Sequence, residues 1–287
     1  MTGCIIVDKP QGVTSNDVVV KVKKLLNLKK VGHLGTLDPL ATGVLPICIG
    51  KATRLFDFFL KKTKSYIAKF KFGEQTFSLD KESQVEKFCD YIPTISQIEN
   101  AIKLNFLGEI EQVPPIYSSK KVNGKRAYEL ARENKEVLLK KCKVKIYEYK
   151  ILRQIDSSTF EFFITCSSGT YIRSLARDLG LATNSLATMV DLRRIKCGNF
   201  DLENSISYQD LTKEHIEKHI LSLEQVLSDY DTINITNEIY QKIRNGINMP
   251  VNCSYKNDKI YVIKCDNEVC GLGKFFDNKL KITTYLK

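Results

Sequence analysis

The segment covering residues 32–50 limits the fold of this chain more than any other stretch. It is rich in Gly, Thr and Pro, too patterned for a linker and too irregular for a helix or a long strand. Within it, Pro39 disfavours helical geometry at Asp38 and so holds that residue extended. Leu37 and Leu40 flank Asp38, which places apolar surface beside its carboxylate. The pattern indicates a loop that presents one carboxylate in a fixed pose; a turn stabilised by a structural Asp is the alternative.

Length and charge narrow the class of protein. A chain of 287 residues can form one large domain and a small one. Its net charge of +11, from 44 basic and 33 acidic residues, suggests a polyanionic partner without choosing between RNA, DNA and a membrane surface. Simple solubility is the alternative explanation. No stretch approaches the length of a transmembrane helix, so we expect no membrane association.

Cysteine usage and the N-terminal residues bear on the compartment. The nine cysteines are odd in number, irregularly spaced and without a CxxC pair, which is typical of reduced, packed thiols. The first residues have no basic region and include an acid, Asp8, so they do not resemble a signal peptide. We therefore expect a cytoplasmic protein.

Periodicity predicts a mixture of helices and strands. Apolar and polar side chains alternate over residues 66–72, as in a strand with one buried face. A capping box of Ser96 and Glu99 predicts a helix that Gly108 closes. The remaining expected elements before residue 230 are strands at 5–7, 144–149 and 160–166 and helices at about 16–26 and 171–179.

The character of the chain changes near residue 230. A short helix is expected at residues 234–245, followed by short strands at 261–265, 269–272 and 280–285. This pattern predicts a small, β-rich appendage to a larger domain.

Residues 32–50 resemble the catalytic motif of the TruB family of pseudouridine synthases, usually written GHxGTLDPxATGxLPxxxG. The chain matches nearly every fixed position of this motif, and such a long match is very specific. The resemblance covers about residues 3–200, and further matching blocks lie at residues 7–17, 64–66, 112–124, 127–132, 166–180 and 192–194. The tail resembles a reduced PUA-type RNA-binding domain.

The resemblance implies an α+β fold and a reaction. It implies a catalytic domain around a mixed, largely antiparallel sheet at residues 1–230 and a small PUA-like domain at residues 231–287. The implied activity is isomerisation of uridine to pseudouridine in the T-loop of tRNA, at position 55, on a flipped-out nucleotide. This reaction oxidises nothing and imports no group, so one nucleophilic carboxylate can suffice and we expect no cofactor and no metal.

Three residues match positions that are catalytic in the family. Asp38 takes the role of nucleophile, and whether it attacks the sugar or the base, or assists elimination, stays open. Tyr66 is placed against the flipped uracil, where it can also help to move the C5 proton; a core tyrosine is the alternative. Arg173 is expected to pair with Asp38 and keep it ionised and oriented, although its helix also has Arg177 one turn away, as a charged surface would.

Four more residues match positions that bind the substrate. The resemblance implies that His33 supports the flipped RNA by stacking, and that Leu192 and Tyr171 line the pocket. Lys9 belongs to the matching N-terminal motif and is expected to bind substrate. Without the resemblance, His33 would more often be a loop residue and Leu192 a core residue.

Other features are weaker. His215 and His219 have a spacing that can bind zinc on a helix, but no third ligand is nearby and a solvated face is expected. The chain departs from the family pattern at Leu34, over residues 75–82 and at Glu133-Asn134. We expect these positions to lie outside the chemistry and to affect only contacts with RNA.

Three other functions were weighed. A non-catalytic RNA-binding or RNA-folding protein would not need Asp38, Tyr66 and Arg173 together. A guide-RNA-dependent pseudouridylase is disfavoured by the short tail and the absence of long basic extensions. An RNA methyltransferase would need a glycine-rich cofactor loop after a strand, which is not found. The sequence therefore predicts a stand-alone enzyme that uses no guide RNA and is a monomer. It is expected to bind tRNA phosphates through five basic clusters, within residues 21–24, 29–30, 61–64, 120–126 and 140–145.

Overall fold

The computed structural model describes residues 1–118, 120–122, 125–126, 139–247, 249–250, 256–257, 259–277 and 279–287. The matching block at 127–132, part of the block at 112–124 and the departure at residues 133–134 lie outside the described residues. The helices are α1 (Ser15–Leu26), α2 (Phe56–Leu60), α3 (Ile95–Asn105), α4 (Ile172–Ala182), α5 (Lys213–His219), α6 (Leu223–Val226) and α7 (Asn237–Arg244), with a 3-10 turn at Gly50–Leu55.

The strands belong to two larger sheets and two short hairpins. They are β1 (Gly3–Lys9), β2 (Val31–His33), β3 (Thr42–Ile49), β4 (Lys64–Phe72), β5 (Glu74–Thr76), β6 (Val85–Phe88), β7 (Gly108–Gln112), β8 (Lys121–Val122), β9 (Lys125–Arg126), β10 (Cys142–Gln154), β11 (Thr159–Cys166), β12 (Ala187–Cys197), β13 (Phe200–Asp201), β14 (Ile206–Ser207), β15 (Thr232–Ile235), β16 (Met249–Pro250), β17 (Tyr261–Cys265), β18 (Glu268–Phe276) and β19 (Lys279–Tyr285).

The main sheet is mixed and largely antiparallel, as predicted. Its described strands run in the order β14-β1-β3-β12-β4-β11-β10-β7, with β2 beside β3 and β13 beside β12. Only the β1–β14 and β3–β12 pairs within it are parallel among the described residues. The helices α1, α3 and α4 pack on one face and bury a single apolar core against it. The fold is therefore α+β, and the predicted fold class is confirmed.

Strand β4 follows the alternation that its sequence predicts. Tyr66, Ala68, Phe70 and Phe72 are all buried, whereas the side chains between them are half-buried on the opposite face. A period of two puts successive side chains on opposite faces of a sheet, so one register serves all four residues. As a result Tyr66, at the start of the strand, is fixed at the edge of the core.

Two local predictions are wrong. Residues 32–50 contain the eight-residue strand β3, which lies between β1 and β12. It was missed because nearly all of its side chains are buried on both faces, which removes any alternation. The N-cap of helix α3 lies two residues before the predicted one, because Thr94 and Gln97, not Ser96 and Glu99, form the capping box.

The C-terminal residues form the small β-rich unit that was predicted. Its sheet has the order β15-β17-β18-β19-β16. Val262, Leu272 and Leu286 from this unit are buried in one cluster with Ile6 and Val44 from the first sheet. The unit therefore packs against the face of the main sheet that α1, α3 and α4 leave free. Among the described residues, none of the helices combines the length and apolar composition that a membrane crossing requires.

Candidate active site

A cavity of about 890 Å³ opens where the segment before β3 meets the ends of several strands. Its wall combines Asp38 with Tyr66 from β4, Leu192 from β12 and Arg173 from α4. Residues 78–83, 117–118 and 167–170 complete it. The topology therefore brings together residues that are more than 150 positions apart in the chain.

The backbone on both sides of Asp38 is held at successive carbonyl groups. The Ser15 hydroxyl donates to the Leu37 carbonyl at 3.0 Å and accepts from the Leu37 N–H at 2.8 Å. The Ala41 N–H donates to the Asp38 carbonyl at 3.0 Å. Because each carbonyl has a partner, the loop is fixed by hydrogen bonds rather than by packing alone. The other donors are Arg194 to the Gly35 and Thr36 carbonyls, and Lys9 and the Gly12 N–H to the Pro39 carbonyl.

Arg194 is the largest fully buried side chain and ties this loop to β3. Its Nε donates to the Val44 carbonyl at 2.7 Å and its Nη2 to the Gly35 carbonyl at 3.1 Å. The backbone of Arg194 also explains Gly43, which has a φ of +101° and lies so close that a Cβ would meet the Arg194 carbonyl oxygen at 2.2 Å. A side chain at position 43 would therefore separate β3 from β12 just after the catalytic loop.

Arg173 connects two carboxylates. Its Nη2 lies 3.0 Å from Asp38 Oδ2 and its Nη1 lies 3.2 Å from Asp80 Oδ2. Nη2 also donates to the Tyr117 carbonyl at 2.8 Å and Nη1 to the Ser78 carbonyl at 3.2 Å. The expected pairing of Arg173 with Asp38 is present, and each terminal nitrogen of the guanidinium combines one ion pair to a carboxylate with one hydrogen bond to a carbonyl. This geometry fixes one carboxylate oxygen of Asp38 and leaves the side chain 36% exposed to the cavity.

The start of α4 aims Arg173 at this position. The buried Gln112 side chain accepts from the Tyr171 N–H at 2.8 Å and donates to the Tyr171 carbonyl at 3.1 Å. One turn along, the Ser174 hydroxyl donates to the Val113 carbonyl at 2.9 Å. These contacts bind the first turn of α4 to the end of β7, so Arg173 projects across the cavity mouth.

Residues 75–82 lie in the site, contrary to our expectation that they are outside the chemistry. Asp80 is almost fully buried, and its Oδ1 accepts from the Ser78 hydroxyl at 2.5 Å and the Glu82 N–H at 3.1 Å. The Thr76 hydroxyl donates to the Asp80 carbonyl at 2.6 Å. Only the folded chain reveals this role, because Asp80 and Arg173 are 93 positions apart. Leu34, another departure from the family pattern, is buried in the core and away from the cavity wall, as expected.

Tyr66 is buried with its ring on the cavity wall. Burial raises the pKa of Tyr66 above its usual value of about 10, and the nearby charge of Arg194, which also hydrogen-bonds the hydroxyl, opposes this only in part. The phenol is therefore protonated at neutral pH. Arg194 stands directly opposite Tyr66 in the β4–β12 pairing, and our sequence analysis gave it no role of its own.

The predicted substrate-binding residues His33, Tyr171 and Leu192 all line the cavity. Burial lowers the pKa of His33, and the charge of Arg194 lowers it further, so its ring is neutral at pH 7. Among the described residues the buried Nδ1 of His33 has no hydrogen-bond partner. Leu192 is 6% exposed, which leaves a small apolar surface towards the cavity.

Lys9 has a different environment from the one expected for a substrate-binding residue. Its ammonium group is fully buried and donates to the carbonyls of Val13, Pro10 and Pro39 at 2.6, 2.9 and 3.3 Å. It does not line the cavity. Burial lowers the pKa of Lys9 to about 8, against the opposing charge of Asp38. Lys9 therefore clamps the turn after β1 to the catalytic loop.

The two histidines with zinc-like spacing are remote from the cavity. His215 and His219 are exposed on α5, and a ring nitrogen of each lies against a backbone carbonyl. No cluster of three metal-ligating side chains occurs in the part of the chain that the structure describes.

Family models and curated relatives both indicate one protein family. Residues 23–172 match the N-terminal domain of the TruB family of pseudouridylate synthases, and residues 173–233 match the C-terminal domain of tRNA pseudouridylate synthase B. The chain is 41% identical to tRNA pseudouridine synthase B of Clostridium novyi over all of both chains. It is 43% identical to that of Rickettsia bellii over 83% of this chain and 82% of the relative.

Solved structures agree with this fold. The protein is similar to a chain in an H/ACA RNP bound to a substrate RNA containing 2'-deoxyuridine, with a TM-score of 0.74 and 26% identity, covering 99% of this chain and 85% of that one. A Cbf5-Nop10-Gar1 complex gives the same TM-score and coverage at 27% identity. The fold is thus that of the pseudouridine synthases. Within that class, this chain belongs to the TruB family.

Proposed function

We propose that this protein isomerises uridine to pseudouridine in the T-loop of tRNA, at position 55, with Asp38 as the nucleophile. The observation that carries the proposal is the Asp38–Arg173 pair, 3.0 Å apart on the wall of a cavity of about 890 Å³. The curated relatives that match at 41% identity over the whole chain are named tRNA pseudouridine synthase B.

The reaction exchanges one bond for another within a single nucleotide. The N1–C1′ bond breaks, the base turns, a C5–C1′ bond forms, and the proton that leaves C5 is balanced by the proton that N1 gains. The product is an isomer of the substrate, so the balance needs no oxidant and no donated group. A carboxylate held in place by an ion pair, as Asp38 is by Arg173, can act as the nucleophile.

The placement of Asp38 on a cavity wall fits a flipped nucleotide. A uridine within a folded RNA arm reaches Asp38 only when its base leaves the stack. Tyr66 then offers an aromatic face to the uracil, and Leu192 with Tyr171 closes its sides. His33, neutral and on the cavity wall, supports the flipped RNA by stacking.

Basic side chains outside the cavity fit contacts to RNA phosphates. Lys140, Lys143 and Lys145 are exposed on or just before β10, and the backbone of Lys145 is hydrogen-bonded to Ser167 in the cavity wall. Lys64, in contrast, is buried and caps the end of α2 by donating to the Leu60 and Lys62 carbonyls, both at 2.7 Å. We therefore no longer expect Lys64 to contact RNA phosphates.

The protein acts alone in this proposal. The catalytic domain comprises residues 1–230 and the PUA-like RNA-binding domain residues 231–287, and the whole works as a monomer in the cytoplasm without a guide RNA. The relatives at 41% identity have the length of this chain.

The test uses purified protein and an unmodified tRNA transcript labelled with tritium at C5 of uridine. We expect tritium release of one equivalent per tRNA, and a single pseudouridine at position 55 when the product is sequenced. A transcript with cytidine at position 55 should release nothing. Release from that transcript would overturn the position, and binding without release from either would favour a non-catalytic RNA-binding protein.

A further inference from the structure

Phe77 is an exposed aromatic residue beside the cavity mouth. It lies at the turn end of the β5–β6 hairpin and is 52% exposed. Its ring meets the ring of Tyr117 edge to face, with centroids 5.7 Å apart and planes at 67°. Tyr117 and Ser78, the residue after Phe77, both line the cavity. An aromatic pair therefore continues the cavity wall outward onto the surface.

The position of this pair is fixed relative to Asp38. Arg173, which holds Asp38, also donates from Nη1 to the Ser78 carbonyl and from Nη2 to the Tyr117 carbonyl. On its other side the Phe77 N–H donates to the Gln84 carbonyl at 3.3 Å. One guanidinium thus ties the carboxylate of Asp38 to the backbone at Ser78 and at Tyr117, beside the two rings.

We propose that Phe77 and Tyr117 form a second base-binding subsite, for the nucleobase of a nucleotide next to the target uridine. This proposal rests on the function proposed above. When one nucleotide is flipped, the stacking of its chain neighbours is broken, and an aromatic face replaces the lost contact. An aromatic face binds any base, so the subsite adds affinity without reading sequence.

The rest of the hairpin provides a control for this subsite. Phe88 is even more exposed, at 75%, but it pairs across the hairpin with Glu74, three residues back from Phe77, and does not line the cavity. Replacing either phenylalanine with alanine removes an exposed aromatic ring of the same size. Neither ring lines the cavity itself, but Phe77 packs against Tyr117, which does.

The experiment measures the affinity of a T-arm stem-loop RNA for wild type, Phe77→Ala, Phe77→Tyr and Phe88→Ala. We expect Phe77→Ala to weaken binding by about 5- to 100-fold, and Phe77→Tyr to keep nearly all of it. Phe88→Ala should bind like wild type. Two further RNAs, abasic at the nucleotide on the 5′ or the 3′ side of the target, locate the stacked base. On one of them wild type and Phe77→Ala should bind equally, because the base that Phe77 stacks is missing.

Two results would overturn the subsite. One is a Phe77→Ala variant that binds like Phe88→Ala; the other is a defect in Phe77→Ala that persists on both abasic RNAs. Conversion of uridine by the wild-type protein is measured on the same stem-loop, so failure of the proposed function is seen separately. If wild type converts uridine and Phe77→Ala is unaffected, only the subsite is lost.

Discussion

Two buried arginines, Arg173 and Arg194, both contact the segment around Asp38 and meet different partners. Arg173 faces the carboxylates of Asp38 and Asp80. Arg194 donates to the carbonyls of Val44 and Gly35, and no ion pair of Arg194 occurs among the described residues. The same type of side chain therefore orients a carboxylate in one place and holds the backbone in the other.

The difference has an electrostatic consequence. Carboxylates balance the charge of Arg173. The pKa values of His33 and Lys9 are lowered mainly by burial, and the charge of Arg194 lowers both further. A buried charge must be hydrogen-bonded in full to be tolerated. We infer that Arg173 is needed chiefly for turnover and Arg194 chiefly for the stability of the loop.

The largest effect is expected from Asp38→Asn. The amide keeps the size of the carboxylate and its place beside Arg173 but is not a nucleophile, so single-turnover conversion should fall by about 10⁴-fold or more. Binding of tRNA and the unfolding transition should stay close to wild type. Near-normal conversion, with deamidation of the new Asn excluded by mass spectrometry, would remove Asp38 from the mechanism.

Arg173→Lys should affect turnover more than binding. A lysine keeps the charge but has three donors on one nitrogen, and it cannot meet two carboxylates and two carbonyls together. We expect the single-turnover rate to fall by about 10²-fold and the dissociation constant for tRNA to change by less than about threefold. A larger loss of binding than of rate would make Arg173 a phosphate ligand instead.

Arg194→Met should show the opposite pattern. Loss of the guanidinium leaves the buried carbonyls of Gly35 and Val44 without a donor, so the free energy of unfolding should fall by about 2–4 kcal/mol. Arg193→Met is the matched control, since its neighbouring guanidinium is 39% exposed and pairs with Asp8 on the surface. Urea denaturation should show a loss below about 1 kcal/mol for this control. Equal losses for the two variants would contradict the division between the arginines.

The smallest effect concerns Lys9 and pH. Burial lowers the pKa of Lys9 to about 8 in the folded chain, against about 10.4 when the chain is unfolded. Between these values the unfolded chain binds the proton and the folded chain does not, so rising pH favours the folded state. The stability of wild type relative to Lys9→Met should therefore rise from about pH 8 to pH 10 and be flat below pH 7. Parallel stability curves for the two proteins would contradict the buried ammonium.

Sequence patterns predicted the local structure where apolar and polar side chains recur at a regular spacing along the chain. The alternation at residues 66–72 predicted β4 and the buried face that carries Tyr66, and the structure confirms both. The strand β3 was missed because burial on both faces leaves no period to detect, and Gly43 and Pro46 suggest a loop. Even so, the carboxylate of Asp38 was expected in a fixed extended segment, and its backbone is indeed tied on both sides.

Individual residues of the site could be predicted from the sequence, but most of the contacts between them could not. Family resemblance supplied Asp38 and Arg173, and the pair between them is present. Asp80 was not found, because its link to Arg173 crosses 93 positions of chain and leaves no local signal. Arg194 did leave one signal. It lies two residues after Leu192, so in a strand both side chains fall on the same face. That face is buried, and a charged side chain is rarely buried without a structural or functional role.

The most direct test of the account is a nucleoside mass balance on wild-type protein with an unmodified tRNA transcript and a chelator, without added cofactor. We expect the uridine lost to equal the pseudouridine gained, at one per tRNA, with the mass of the RNA unchanged. The same measurement on Asp38→Asn should show neither loss nor gain. A change in RNA mass, or a dependence on an added group donor, would contradict isomerisation by Asp38.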